Sequence, residues 1–122
     1  MEENSEVVLR YRDGHTERAE LSPIDPERQV LNIRREDGQA ANVPFSLLKA
    51  VFFPRLNPDE PVEEAPAGSE ITVEFADGEV IRGIASYNPE RNGFFLYPRD
   101  RSKNERIFVV NSAIVSIEVE KL

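Results

Sequence analysis

Ile71-Thr-Val-Glu-Phe-Ala-Asp-Gly78 is the stretch of the sequence that decides the fold. Ile71, Val73 and Phe75 alternate with other residues, which is the period-two pattern of a β-strand with one buried face. The Asp-Gly pair that follows supplies the positive φ angles of a tight hairpin turn. Residues 80–85 alternate again, so the stretch predicts a β-hairpin.

The same order of residues occurs earlier in the chain. Val7-Val-Leu-Arg-Tyr-Arg-Asp-Gly14 lies 64 positions upstream, and Asp25-Pro-Glu-Arg28 precedes Asn88-Pro-Glu-Arg91 by 63 positions. Further along, four residues recur at an offset of 66: Ser46, Leu48, Val51 and Phe53 correspond to Ser112, Ile114, Ile117 and Val119. A nearly constant offset indicates a duplicated structural unit.

Each copy contains several short strand patterns separated by turn signals, and little of the sequence is typical of helix. Such a pattern favours an all-β barrel or sandwich. The sequence therefore predicts an all-β fold of two tandem five-stranded small barrels, at residues 1–56 and 70–122. Residues 57–69 are rich in proline and glutamate and predict an extended linker between them.

The composition of the 122 residues bears on the class of protein. The absence of cysteine excludes a disulfide framework, a thiolate nucleophile and a thiolate metal site. The formal net charge of −8, from 15 basic and 23 acidic side chains, repels phosphate backbones and disfavours nonspecific nucleic-acid binding. Because neither a charged-then-apolar leader nor a long apolar run is present, we expect a cytoplasmic protein without a membrane span.

Adjacent apolar residues occur in several of the predicted strands. Neighbouring residues of a strand point to opposite faces, so one member of each pair points away from its own small core. We expect these pairs to bury a second face, either where the two barrels pack on each other or in a homo-oligomer or partner surface. Phe52 and Phe94 are the candidate interface residues. The pairs are Val7-Val8, Phe52-Phe53, Phe94-Phe95 and Val109-Val110.

The order of elements resembles the Sm-like and SH3-like group of small barrels. The resemblance rests on Asp77-Gly78 after the first strand, Gly83 within the second, the turn at 88–93 and a short turn before the strand at 114–119. A glycine within a strand is typical of a bend or bulge that closes a small barrel. The Sm-like site for RNA uses an Arg-Gly step before the last strand, where this chain has Val110-Asn111-Ser112.

The second unit is also similar to a bacterial domain of unassigned function that is found beside PilZ domains and type IV pilus-type ATPases. Three stretches carry this similarity: Asp77-Gly-Glu-Val, Gly93-Phe-Phe-Leu-Tyr-Pro and Asn104-Glu-Arg-Ile-Phe-Val-Val-Asn-Ser-Ala. The second-messenger site of PilZ domains combines an arginine pair with an Asp-x-Ser-x-x-Gly stretch. Arg34-Arg35 occurs without that stretch, so the similarity does not imply this ligand.

The repeated Pro-Glu-Arg sequence is the one polar motif that occurs in both units. It favours either a recognition loop, in which Arg28 and Arg91 bind a carboxylate or phosphate, or a turn with solvated charges. Asn88 and Asn92 flank the second copy and complete the candidate binding residues. His15 is the only histidine and follows a turn glycine, so we predict no catalytic residue. No residue pattern predicts a metal site or a cofactor.

These observations together predict a non-enzymatic protein-interaction or assembly module of the bacterial cytoplasm. We expect a protein partner or self-association. Sm-like binding of single-stranded RNA at the 88–93 turn is the alternative, and it is disfavoured by the acidic charge.

Overall fold

A computed structural model describes residues 4–25, 27–55, 59 and 67–120. Within these residues the chain forms ten β-strands and two single turns of 3₁₀ helix, at Phe45–Leu47 and Asn111–Ala113, so the all-β prediction is confirmed. The strands are β1 (Ser5–Tyr11), β2 (Thr16–Leu21), β3 (Val30–Arg35), β4 (Ala40–Pro44), β5 (Leu48–Pro54), β6 (Ser69–Phe75), β7 (Val80–Ala85), β8 (Gly93–Pro98), β9 (Asn104–Val110) and β10 (Ile114–Glu120).

All ten strands belong to one antiparallel sheet, in the order β10-β6-β7-β8-β9-β5-β1-β2-β3-β4. The N-terminal half (β1–β5) and the C-terminal half (β6–β10) each have the same internal order, and β5 pairs with β9 to join them. Among the described strands, the sheet does not close on itself. The prediction of two closed five-stranded barrels is therefore not confirmed, because β5 and β9, which would close the two halves, pair with each other instead.

The hairpin turns follow from the Asp-Gly pairs, as predicted. Gly14, Gly38 and Gly78 have φ angles of 98°, 88° and 88°, which other residues adopt only with strain. The aspartate before each glycine accepts a hydrogen bond from the main-chain N–H two residues later. The turns therefore fix the register of the hairpins β1–β2, β3–β4 and β6–β7.

The buried apolar residues form two clusters, one in each half. The N-terminal core contains residues of β1 to β5 together with Phe108 and Val110, which come from β9. The C-terminal core contains residues of β6 to β9 together with Ala50 and Phe52, which come from β5. Each core is thus completed by side chains from the other half of the chain.

The four apolar pairs are divided between these two cores. In the pairs at 52–53 and 109–110, one residue belongs to each core. In the pairs at 7–8 and 94–95, one residue belongs to a core and the other packs against the opposite core as a partly buried side chain. The second faces of these strands are therefore buried within the chain, where the two halves pack on each other.

Gly83 and Gly93 lie where another strand approaches closely. A Cβ atom at Gly83 would overlap the main chain of Tyr97, and one at Gly93 would overlap the Phe108 ring. The pairing of β6 with β7 has an unbroken register at Gly83. The glycine therefore permits a close approach of β8. Of the bend or bulge that the sequence predicts there, the bulge is absent from the pairing with β6.

The predicted linker at 57–69 lies largely outside the described residues, and Ser69 already belongs to β6. In the part of the chain that is described, no helix is long and apolar enough to cross a membrane.

Candidate functional site

The joint between the halves is a strand pairing with a defined register. Val51 lies opposite Phe108, and Phe52 lies opposite Ile107. All four side chains are at most 8% exposed. Because alternate residues point to opposite faces, the same strand pair contributes Val51 and Phe108 to the N-terminal core and Phe52 and Ile107 to the C-terminal core.

The candidate interface residues Phe52 and Phe94 both belong to the C-terminal core. Phe52 reaches it from the N-terminal half, and the Arg10 guanidinium lies 4.1 Å from the centre of its ring. Phe94 belongs to the C-terminal half and packs edge-on against Tyr87. Its neighbour Phe95 points the other way, packs against the N-terminal core, and contacts the ring of Phe53.

An ionic cluster around the buried Lys49 connects the halves beside the joint. Lys49 of β5 has a side chain that is 7% exposed, and its Nζ lies 2.7 Å from Asp77 Oδ2 and 2.5 Å from Glu79 Oε1. Arg10 Nη1 also donates to Glu79, at 2.6 and 2.9 Å. The Asp-Gly turn between β6 and β7 therefore supplies both carboxylates that neutralise a buried lysine of the other half.

The carboxylates of this cluster titrate below their usual range. The hydrogen bond from Lys49 lowers the pKa of Asp77. Partial burial on its own would raise the pKa of Glu79, but the hydrogen bonds from Lys49 and Arg10 outweigh burial and lower it. Both groups are thus ionised at neutral pH, and the cluster stabilises the joint.

Lys49 was not among the site residues predicted from the sequence. A signal was present, because Lys49 stands in a run of apolar residues from Leu47 to Phe53, where the strand is buried on both faces. A lysine in such a position is stable only with a paired carboxylate.

The two Pro-Glu-Arg turns face each other across the joint. Arg91 Nη1 lies 3.5 Å from the carboxylate of Glu27, and Asn92 Nδ2 donates to the main-chain oxygen of Glu27 at 3.3 Å. The turns have matching internal bonds, since the amides of Arg28 and Arg91 donate to the main-chain oxygens of Asp25 and Asn88. Pro26 lies outside the described residues.

A cleft of about 410 Å³, which we call the turn cleft, lies beside these turns. Asn111 Nδ2 donates to the main-chain oxygens of Asn88 and Arg91, at 3.1 and 2.6 Å. Its Oδ1 atom is buried and accepts no hydrogen bond from the described residues. Both halves line the cleft: Gln29, Phe45 and Ser46 from the first, and Tyr87, Pro89, Arg91, Asn92, Asn111 and Ser112 from the second.

The structure thus brings together Asn88, Arg91 and Asn92 at one end of the joint. Arg28 is on the surface of the N-terminal turn, its Nε 3.9 Å from the carboxylate of Asp25, and does not line the turn cleft. Asn111 follows the end of β9 and hydrogen-bonds to the 88–91 turn. It was not among the site residues predicted from the sequence.

His15 is held within its own hairpin by an aromatic and an ionic contact. His15 stacks on the Tyr11 ring, with the ring centres 4.0 Å apart, and its Nδ1 lies 2.5 Å from Asp13. Burial, together with the hydrogen bond to Glu17, raises the pKa of Tyr11 to about 12. Among the residues that the structure describes, no group of three or more His, Cys, Asp or Glu is placed to hold a metal ion.

In the described part of the chain, the two outermost strands each have one neighbour in the sheet: β4 pairs with β3, and β10 pairs with β6. Main-chain hydrogen bonds flank β4 at both ends: the Arg35 N–H donates to the Gln39 oxygen, and the Phe45 N–H donates to the Gln29 oxygen. Because the bonds of an antiparallel pair alternate, the N–H and C=O groups of Ala40 and Asn42 point away from the sheet. The main chain of Pro44 also points away from β3, so its missing N–H removes no hydrogen bond from the pairing with β3.

A family model matches residues 3–121, which is nearly the whole chain. The chain belongs to the DUF6982 family. This is described as a family of unknown function. No curated protein and no solved structure matches the chain significantly.

Proposed function

We propose that this DUF6982 chain is a non-enzymatic interaction module that binds an extended segment of a partner protein along the open edge of β4. The observation that supports the proposal best is the edge itself. Its outward N–H and C=O groups belong to a strand without a single charged side chain, Ala40-Ala-Asn-Val-Pro44. An extended peptide that adds to such an edge gains main-chain hydrogen bonds.

The choice of β4 over β10 follows from the side chains. Exposed sheet edges are commonly protected by charged residues, which oppose pairing with another strand. β10 carries Glu118 and Glu120 as exposed residues, whereas β4 carries no charged side chain. The chain already uses one edge pairing of this kind, β5 with β9, to hold its own halves together.

Two further elements belong to the same proposal. The repeated strand order supports two copies of one small unit, of the barrel-like kind found in the Sm-like and SH3-like group, at residues 1–56 and 70–122. The similarity to a bacterial domain found beside PilZ domains and type IV pilus-type ATPases supports action in the bacterial cytoplasm.

Backbone amide exchange in the presence of a selected peptide tests the β4 proposal. Peptides of about ten residues would be selected from a displayed random library on the purified chain. We expect selected peptides to slow exchange at Ala40 and Asn42. Asn42→Pro removes the outward N–H and is expected to weaken binding at least tenfold, since Pro44 shows that the strand accommodates proline at this phase.

Asn42→Ala is the matched control, because it removes the side chain and keeps the N–H. Binding is expected to stay within about twofold of the original chain. Circular dichroism and the thermal midpoint establish that both variants are folded. A library without binders, or binders that ignore Asn42→Pro, would contradict the proposal.

Binding of single-stranded RNA in the turn cleft is a second candidate function. The supporting observation is the turn cleft itself, which is lined by polar side chains from both halves of the chain. Tyr87 offers an aromatic ring and Arg91 a cation in the same cleft. Filter binding of oligouridylate and oligoadenylate at low salt tests it: binding that Arg91→Ala abolishes would support this function, and no binding would exclude it.

A further inference from the structure

We infer that the outer edges of the sheet reject a second copy of the chain. The repeat makes a head-to-tail contact conceivable, since a free β10 could pair with the β4 of a second copy as β5 pairs with β9. The side chains at the corresponding positions oppose it on both edges. The inference builds on the proposed function, because it excludes this chain itself as the partner of β4.

One face of the N-terminal half covers the C-terminal core. Val8, Ala50 and Phe52 form this face. Their counterparts in the C-terminal half, 64 or 66 positions later, are Thr72, Ser116 and Glu118. Ser116 and Glu118 are exposed, and Thr72 is half-buried. An apolar face in one half is therefore a polar face in the other.

The face of the C-terminal half that covers the N-terminal core is likewise apolar, and its counterpart in the N-terminal half is polar. Phe95, Phe108 and Val110 of the C-terminal half cover the N-terminal core. The positions that correspond to them on β3 and β4 hold Asn32, Asn42 and Pro44, and all three are exposed. This correspondence follows from the pairing, since Val30 lies opposite Pro44 as Gly93 lies opposite Val110.

The ionic cluster is the third difference. Lys49, which binds Asp77 and Glu79 of the other half, corresponds to Val115, a valine that is 60% exposed. The counterparts of the two carboxylate residues are Asp13 and His15, which contact each other. A contact between two copies would therefore lack the buried ion pair that holds the halves of one copy together.

The register of the joint specifies what a second copy would meet. Phe52 lies opposite Ile107 within the chain. The same register applied to β10 and the β4 of a second copy sets Glu118 opposite Ala41. Glu118 would then take the position at which Phe52 is buried, and burial would remove its carboxylate from water. An extended peptide that adds to β4 alone brings no such carboxylate.

Two variants of the full chain test this inference. The first, Ser116→Ala with Glu118→Phe, gives β10 the apolar residues of β5. The second, Asn32→Phe with Asn42→Phe, gives β3 and β4 the residues of β8 and β9. Sedimentation velocity measures the mass of each variant alone and of an equimolar mixture, beside the original chain. Circular dichroism verifies that each variant is folded.

We expect the original chain and each single-edge variant to sediment as a monomer, and the mixture to form a 1:1 dimer at micromolar concentration. Each member of that dimer keeps one polar edge, so growth stops at two chains. A chain with all four substitutions is expected to form larger assemblies.

Three results would overturn the inference. The original chain could associate through β4 and β10, in which case Glu118→Lys would alter the assembly. The folded variants could remain monomeric when mixed, or each variant could associate with itself equally well. The second and third results leave the selected-peptide assay unchanged. In the first, a second copy would occupy β4, so the assay is run at a concentration at which sedimentation shows a monomer, and the proposed function can still fail or stand separately.

Discussion

Replacing Phe52 by alanine tests whether one half of the chain completes the core of the other. The Phe52 side chain is 8% exposed and lies in the C-terminal core although β5 belongs to the N-terminal half. Truncating a buried phenylalanine costs about 3–5 kcal/mol. Loss of the Arg10 contact to its ring adds about 0.5–1 kcal/mol. We expect a total loss of about 3.5–6 kcal/mol, which lowers the midpoint of thermal unfolding by roughly 14–23 °C.

Urea unfolding followed by circular dichroism measures this loss, since the chain contains no tryptophan. Glu118→Ala, the exposed counterpart 66 positions later, is the control and is expected to change stability by less than about 0.5 kcal/mol. Methyl NMR spectra locate the effect: signals of Ile71 and Leu96 in the C-terminal core should shift more than that of Leu31. Larger shifts at Leu31 would refute the assignment of Phe52 to the C-terminal core.

The remaining predictions concern the ionic cluster and a close backbone contact. Lys49→Met is expected to lower stability at pH 7 by about 1–3 kcal/mol, because two carboxylates lose their hydrogen-bond donor. The pKa values of Asp77 and Glu79 are lower in the folded chain than in the unfolded chain, where they are near 4. The stability that the two carboxylates contribute is therefore complete above about pH 4, and it is lost as the pH falls through the pKa values of the folded chain. The difference in unfolding free energy between Lys49→Met and the original chain, measured by urea titration, should therefore decrease below about pH 4. A difference at pH 2 equal to that at pH 7 would argue against the cluster. Gly93→Ala forces a methyl group onto the Phe108 ring and is expected to cost about 1–3 kcal/mol, by thermal unfolding. An unaffected midpoint would show that β8 and β9 are farther apart than described.

Much of the fold could be predicted from local pattern. The alternation at 71–75 and the Asp-Gly pairs predict strands and hairpin turns, because each depends on a few neighbouring residues. The adjacent apolar pairs also predict a second buried face correctly, since a strand has only two faces and both are apolar there. The structure assigns that face to the packing of the two halves.

The joint itself could not be predicted, because edge pairing depends on which strand ends are close in space. The same apolar β5 would be consistent with a closed barrel, a homo-oligomer or the observed pairing with β9. Likewise, the pattern Phe94-Phe95 does not say which ring faces which core; the register with β9 decides that Phe95 crosses to the N-terminal half. The turn cleft combines residues of the two halves that are at least 41 positions apart, and it needs that same joint.

The most direct test of the account is the contact between β5 and β9. An NMR spectrum of the intact chain is expected to show main-chain proton contacts between Phe52 and Ile107 and between Ala50 and Val109, which lie opposite each other in the pairing. Contacts from β5 to β4 instead, with none to β9, would show two separately closed halves. The joint, the edge proposal and the rejection of a second copy would then all be wrong.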